Sequence, residues 1–197
     1  MIKVSVLLAD GFEEIEALTV VDLLRRAQIY VDTISIMEDY TVHGAHGINI
    51  QTEDLFEEVN FVESDMIVLP GGMPGTTNLN AHEGVRRVVK DFAAEGKPIA
   101  AICAAPTVLG NLGLLKGKRI TCYPGVETEI QGAVMLRTQV AVDGNIITSR
   151  GVGTAIAFAL KLIEVLVGED KSREIAEAIV YEKKKAPGAA EISAENV

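Results

Sequence analysis

The sequence has no tryptophan and only two cysteines, Cys103 and Cys122, in 197 residues. Two cysteines cannot make a disulfide scaffold or a four-thiolate zinc centre. Positive charge is also scarce: 18 lysines and arginines face 28 acids, a formal charge of −10. That excludes a nucleic acid or an anionic membrane held by a broad basic surface, and leaves small ligands bound at a local site. No run is long and apolar enough to span a bilayer. The apolar start ends at Asp10, and acids follow where a signal-peptide cleavage site would lie. The reading is a cytoplasmic, reducing setting in which both thiols stay free.

What is present is an alternation of elements. Residues 2–9 are β-rich and apolar, a buried strand. Residues 12–27 follow with helical spacing, and 30–37 read as the next strand. Residues 41–52, with two glycines, suggest a small hairpin or edge excursion. The run MIVLP at 66–70 is another strand and ends in GGMPGTTNL. A helix over 83–94 carries Val85, Val88, Val89 and Phe92 on one side. Residues 98–103 form a strand, 107–115 its helix, and 119–123 a further strand. Residues 134–149 read as a hairpin turning at Asp143-Gly144. Helices at 154–167 and 172–181 close the fold, and 183–197 read as a mobile tail.

Strand and helix alternate without a repeat or linker, so residues 1–182 read as one α/β domain. The pattern predicts a doubly wound, mostly parallel sheet with helices on both faces, a three-layer sandwich. In such sheets ligands bind beyond the carboxyl ends of the strands. Four segments arrive there: 9–16, 70–77, 102–106 and 149–153.

Cys103 lies at a strand-to-helix corner, in AICAAP. Ala101 and Ala105 flank it two residues either side, the small-x-nucleophile-x-small spacing of a sharp turn that exposes a nucleophile. Free N–H groups at the following helix start favour a thiolate. A buried structural cysteine is the competing reading. PGGMPG follows a strand, and backbone N–H groups of Gly71 and Gly72 can face a developing oxyanion. There is neither a Walker loop nor a dinucleotide fingerprint, so no cofactor is expected. In DGFEEIEA, Glu13 and Glu14 fit helix-capping roles, while Glu16 sits further in. A carboxylate beside a thiolate raises the thiol's pKa, so the pair helps only when the carboxyl is protonated and donates to sulfur. His43 and His46 have a metal-like spacing but no acidic or thiol partner close in sequence, and no metal is expected. His82 falls at a helix start with a local role, and Cys122 reads as core.

ADGFEEIEALTVVDLLRRA, VLPGGMPGTTNL, AAICAAPTVLGNLGLLKGKRITCYP and TSRGVGTAIAFAL occur in this order. Together they resemble the ThiJ/PfpI superfamily, in the branch of the Parkinson-disease-associated deglycase and the bacterial ThiJ-like chaperones. The resemblance covers residues 2–167. It implies a flavodoxin-like fold and a homodimer with the site near its interface. It matches Cys103 to the reactive elbow cysteine and Glu16 to a buried, protonated acid bonded to its sulfur. Gly72 and Ala104 match the backbone donors of an anion pocket, with Gly71 beside them. Asp22 and Arg26 match a structural pair near the dimer contact. Arg150 falls in the motif near the site, where as an accessory residue it could help hold anions. The chain departs from the branch at Tyr123, where many members carry a histidine before the proline. Tyrosine is a poor base near neutral pH, so proton transfer falls to Cys103, Glu16 or water.

Two functions follow from the resemblance. One is a cysteine-dependent, glutathione-independent enzyme acting on 2-oxoaldehydes such as methylglyoxal or their early adducts. The other is an oxidation sensor or redox chaperone whose Cys103, as a low-pKa thiolate, forms a stabilised sulfinic acid. The partners are thus small carbonyl compounds or oxidants.

Overall fold

Strand β1 (Lys3–Leu8) sends Val4, Val6 and Leu8 into one core and Leu7 into another. This alternation is the period of two that a strand imposes, and it sets the plan of the molecule. The structure is a computed structural model and describes residues 1–182. The expected tail, 183–197, lies outside the described residues.

After β1 the chain forms α1 (Glu14–Arg26), β2 (Tyr30–Ser35), β3 (Thr41–His43), β4 (Asn49–Gln51) and β5 (Asp54–Leu55). Next come β6 (Met66–Leu69), α2 (Gly75–Ala81), α3 (Glu83–Glu95), β7 (Ile99–Ile102) and α4 (Pro106–Asn111). The last part holds β8 (Arg119–Ile120), β9 (Val134–Met135), β10 (Val140–Asp143), β11 (Ile146–Ser149), α5 (Ala155–Val167) and α6 (Glu169–Ala178).

Seven strands make the main sheet in the order β10-β11-β7-β6-β1-β2-β5. Every pairing in it is parallel except β10 with β11. Helices α1, α5 and α6 cover the face that holds Val4, Val68, Ala100 and Ile147. Helices α2, α3 and α4 cover the other, with Leu7, Ile67, Leu69 and Ile99. Phe158 of α5 is fully buried in the first core, a burial worth roughly 2–3 kcal/mol. The fold is the expected flavodoxin-like α/β sandwich. Among the described residues no helix is long and apolar enough to cross a membrane.

The 41–52 hairpin forms as β3 and β4. Three expectations shift. The strand at 119–123 stops at Ile120 and pairs with β9 in a separate two-stranded sheet. Beyond it the backbone donors are already engaged: Thr121 N–H with Thr148 Oγ1 at 2.9 Å, and Tyr123 N–H with the Cys103 carbonyl at 2.9 Å. The 107–115 helix ends at Asn111, near Gly113 at φ +74°, a conformation glycine adopts without strain. Helix α2 occupies a stretch to which the sequence assigned no element, because Gly75-Thr-Thr carries little helical propensity of its own.

The chain runs outward from β1 to β2 on one side, then returns to β6 on β1's other side. That reversal is the switch point where open α/β sheets form their ligand crevice. The loops after β1 and β6 meet there, beside the end of β7.

Candidate active site

Cys103 follows the last residue of β7 at φ +64°, a left-handed conformation that a side chain rarely accepts. Its backbone is fixed on both sides. The Cys103 N–H donates to the Ser149 carbonyl at 3.0 Å, and its own carbonyl accepts the Tyr123 N–H. Ala101 and Ala105 are fully buried, which is why only small residues fit beside the corner.

Glu16, in the first turn of α1, is fully buried. Its Oε2 accepts the Gly71 N–H at 2.9 Å. Its Oε1 finds no well-aligned hydrogen-bond donor. That oxygen and the Cys103 sulfur face the same spot: a methyl group on Gly151 would lie 3.7 Å from Oε1 and 3.8 Å from Sγ.

Gly71 and Gly72 allow this close approach. A Cβ on Gly71 would fall 2.5 Å from Cys103 Cβ and 2.7 Å from Glu16 Oε2. Gly72, at φ +93°, packs against the Gly11 carbonyl and the Glu13 N–H. The N–H groups of Gly72 and Ala104 favour negative charge on the sulfur. Gly71 differs from its expected role, since its N–H is occupied by Glu16 and orients the carboxyl instead of facing an anion. Gly71→Ala is expected to destabilise the fold by about 1–3 kcal/mol through overpacking, and to move sulfur and carboxyl apart. A lowered denaturation midpoint together with lost Cys103 reactivity would show both effects.

Burial pushes the Glu16 carboxyl up to about 7, and the Glu13 charge adds to the rise. The Gly71 N–H and the Cys103 thiol act in the opposite direction. Burial, followed by the charge of Glu16, pushes the Cys103 thiol up to about 12. The Ala104 and Gly72 N–H groups oppose that rise. A thiol lowered by its helix is therefore not what the surroundings give. Helix α4 has six residues, and the individual N–H groups of Gly72 and Ala104 do the favouring. The repulsion on sulfur vanishes only when Glu16 is protonated.

The four expected segments do converge. Glu13, Glu16, Gly72, Cys103, Ala104 and Arg150 line one cavity of about 900 Å³. Tyr123, 52% exposed, lines it too. Cys122 is buried in the second core, as read from sequence. His82 caps α3 by accepting the Val85 N–H at Nδ1. Asp22 and Arg26 form an exposed pair at 2.7 Å.

Sequence reasoning missed the partners of the other two histidines, because they come from the distant β1–α1 loop and the first residue of α1. His43 meets Asp10. Glu14 is buried and accepts both the His46 N–H at 2.6 Å and the ring Nδ1 at 2.9 Å. Neither Glu13 nor Glu14 is a simple cap: Glu13 makes no capping hydrogen bond and Glu14 anchors the hairpin. Ligand atoms of Glu13, Glu14 and His46 lie within 4.8 Å of one another, and the hydrogen bonds to Glu14 account for that grouping.

Residues 2–165 match the model of the DJ-1/PfpI family. DJ-1 homolog B of Arabidopsis thaliana is 36% identical over 180 residues, 90% of this chain. The chain spans only 41% of that relative's length. A deglycase of Pyrococcus abyssi is 35% identical over 83% of this chain and 99% of its own. Among solved structures, a cysteine-to-alanine mutant of a DJ-1 superfamily protein from Salmonella typhimurium superposes with a TM-score of 0.89. It is 39% identical, covering 93% of this chain and all of that one. With the family model matched across nearly all the described residues, the chain belongs to the DJ-1/PfpI family.

Proposed function

We propose that the chain converts 2-oxoaldehydes such as methylglyoxal, or their early adducts on amines and thiols, into 2-hydroxy acids without glutathione. The observation that carries this reading is the buried Glu16 carboxyl beside the strained Cys103 sulfur in a cavity wall. Between them the two groups keep one proton through the neutral range. Above about pH 7 that proton rests on sulfur, and it passes to Oε1, the Glu16 oxygen that Gly71 leaves free and that faces sulfur, as the thiolate forms. The thiolate then has three donors: Glu16, Gly72 and Ala104.

The thiolate adds to the aldehyde carbon, and Glu16 gives its proton to the new alkoxide, forming a hemithioacetal. As carboxylate, Glu16 takes the hydrogen from that carbon and leaves an enediolate. It returns the proton to the neighbouring carbon, and the hydroxyl proton passes to the second oxygen. The product is a thioester of a 2-hydroxy acid. Water hydrolyses it to the thiolate and the 2-hydroxy acid, which leaves as its anion after giving its proton back to Glu16. The sum is addition of one water, with one carbon oxidised and its neighbour reduced. The N–H groups of Gly72 and Ala104 stabilise the oxyanions. Tyr123 shapes the cavity beside Gly151 without serving as base. A reducing, cytoplasmic compartment suits a free thiol. Ile15 and Leu18 on α1 and Ile156 on α5 remain exposed although these helices pack together, which supports a homodimer.

The oxidation-sensor reading is favoured by one observation of its own. Cys103 borders the cavity, with two N–H groups positioned for sulfinate oxygens, while Cys122 is 4% exposed. One experiment separates the readings: incubation of the purified chain with methylglyoxal free of glutathione, and separately with low peroxide, with products read by mass. Lactate formation is the expected result. Absence of lactate, with a sulfinate confined to Cys103, would overturn the enzyme and leave the sensor.

A further inference from the structure

We infer that the cavity takes carbonyl substrates carrying an anionic group, carboxylate or phosphate, held by Arg137 and Arg150. This rests on the carbonyl chemistry proposed above for Cys103.

Both arginines line the Cys103 cavity, and they are the only cations among its described lining residues. Both also line a smaller cavity with Glu127 and Cys122, so they stand together between the two spaces. Glu127 feels both guanidinium charges and lines the smaller cavity with them. Its carboxylate, however, is engaged by the Gly125 N–H at 2.5 Å. Arg25, Arg26 and Arg173 find carboxylate partners. Among the described residues Arg137 and Arg150 form no such pair; Arg86, Arg87 and Arg119 also lack one, but they do not line the Cys103 cavity. In a chain with ten excess acids, two arginines at a reactive cavity, neither within ion-pair distance of a carboxylate among the described residues, make an anion site.

Position and repulsion fix how a substrate would lie. Arg150 precedes Gly151, and a Cβ on Gly151 would be 3.8 Å from Sγ. An anion held at Arg150 therefore lies within a short chain of the reacting carbon. Glu13 and Glu129 line other parts of the wall, and their charges disfavour an anionic tail there. A cavity of about 900 Å³ has ample room beyond a three-carbon aldehyde. Guanidinium groups bind carboxylate and phosphate alike through paired N–H donors, and the test separates the two.

The experiment compares kcat/KM for methylglyoxal, for 4,5-dioxopentanoate and for 3-phosphooxy-2-oxopropanal. All three are 2-oxoaldehydes, and only the last two are anions. The expected preference over methylglyoxal is about tenfold for at least one anion, and which one identifies the tail. Arg137→Gln and Arg150→Gln should each cut that preference by about tenfold, chiefly through KM, as loss of a charge-assisted hydrogen bond predicts. High salt should erode it as well. Turnover of methylglyoxal without preference for either anion, or a preference indifferent to Arg137→Gln, would overturn the inference and leave the carbonyl chemistry standing. If no aldehyde turns over, calorimetric titration of Cys103→Ser with 2-phosphoglycolate decides. Binding weakened tenfold by Arg137→Gln sustains the site, and no binding removes it.

Discussion

Cys103→Ala is expected to abolish 2-oxoaldehyde consumption, lowering kcat/KM by at least about 10³-fold, as removal of a covalent nucleophile does. Glu16 and the N–H groups of Gly72 and Ala104 remain in the variant, but no atom is left to form the hemithioacetal. Alanine keeps the Cβ, so the corner at φ +64° retains its strain and its packing. The thermal midpoint should stay close to that of wild type, which makes the loss chemical and not structural. Cys122→Ala is the control for thiol loss elsewhere, since Cys122 lies in the second core and outside the cavity that Cys103 borders. Methylglyoxal clearance at the wild-type rate in Cys103→Ala would sink the mechanism, and would assign the clearance to surface lysines and arginines.

The sheet was legible because its strands are short apolar runs bounded by turn residues, and parallel strands are buried on both faces. MIVLP and PIAAIC could be read in no other way. Cys103 was legible from its alanine fence, for the same crowding that buries Ala101 and Ala105. What sequence could not show were contacts between distant loops. His46 looks isolated on a glycine-rich stretch, yet Phe12 and Gly44 form a bridge that brings it to Glu14. Gly71 reads as an anion donor until Glu16, 55 positions away, takes its N–H. The thiol's direction was missed for a related reason. A helix start pulls a thiol down, and only the three-dimensional site shows that burial and Glu16 push harder upward. Arg137 carried no signal at all, because nothing in RTQVAVDG tells that the residue will stand beside Arg150.

Glu16→Gln should separate chemistry from fold. Glutamine can accept the Gly71 N–H through its carbonyl and donate its amide to sulfur. It cannot take a proton from carbon and give it back. A fall in kcat/KM of about 10²–10⁴-fold is expected, the usual contribution of a positioned acid–base group. Stability should move the other way. In the folded chain the Glu16 carboxyl titrates at about 7, against 4.5 as its ordinary value. Between those pH values the folded state binds a proton that the unfolded state has released. Stability therefore falls as pH rises from about 4.5, and the loss is complete once pH passes about 7. The whole penalty is on the order of 3 kcal/mol, and Glu16→Gln avoids it. Denaturation midpoints should thus favour the variant at pH 8, by a margin that shrinks steadily toward pH 4.5. Thiolate absorbance should appear at lower pH in the variant, because the carboxylate that repels it is gone. A margin independent of pH would mean that Glu16 does not titrate with the fold, and the shared proton on which the thiolate depends would have to be abandoned. A margin that follows pH, joined to lost turnover, would show the site retaining a buried acid that the fold alone would be more stable without.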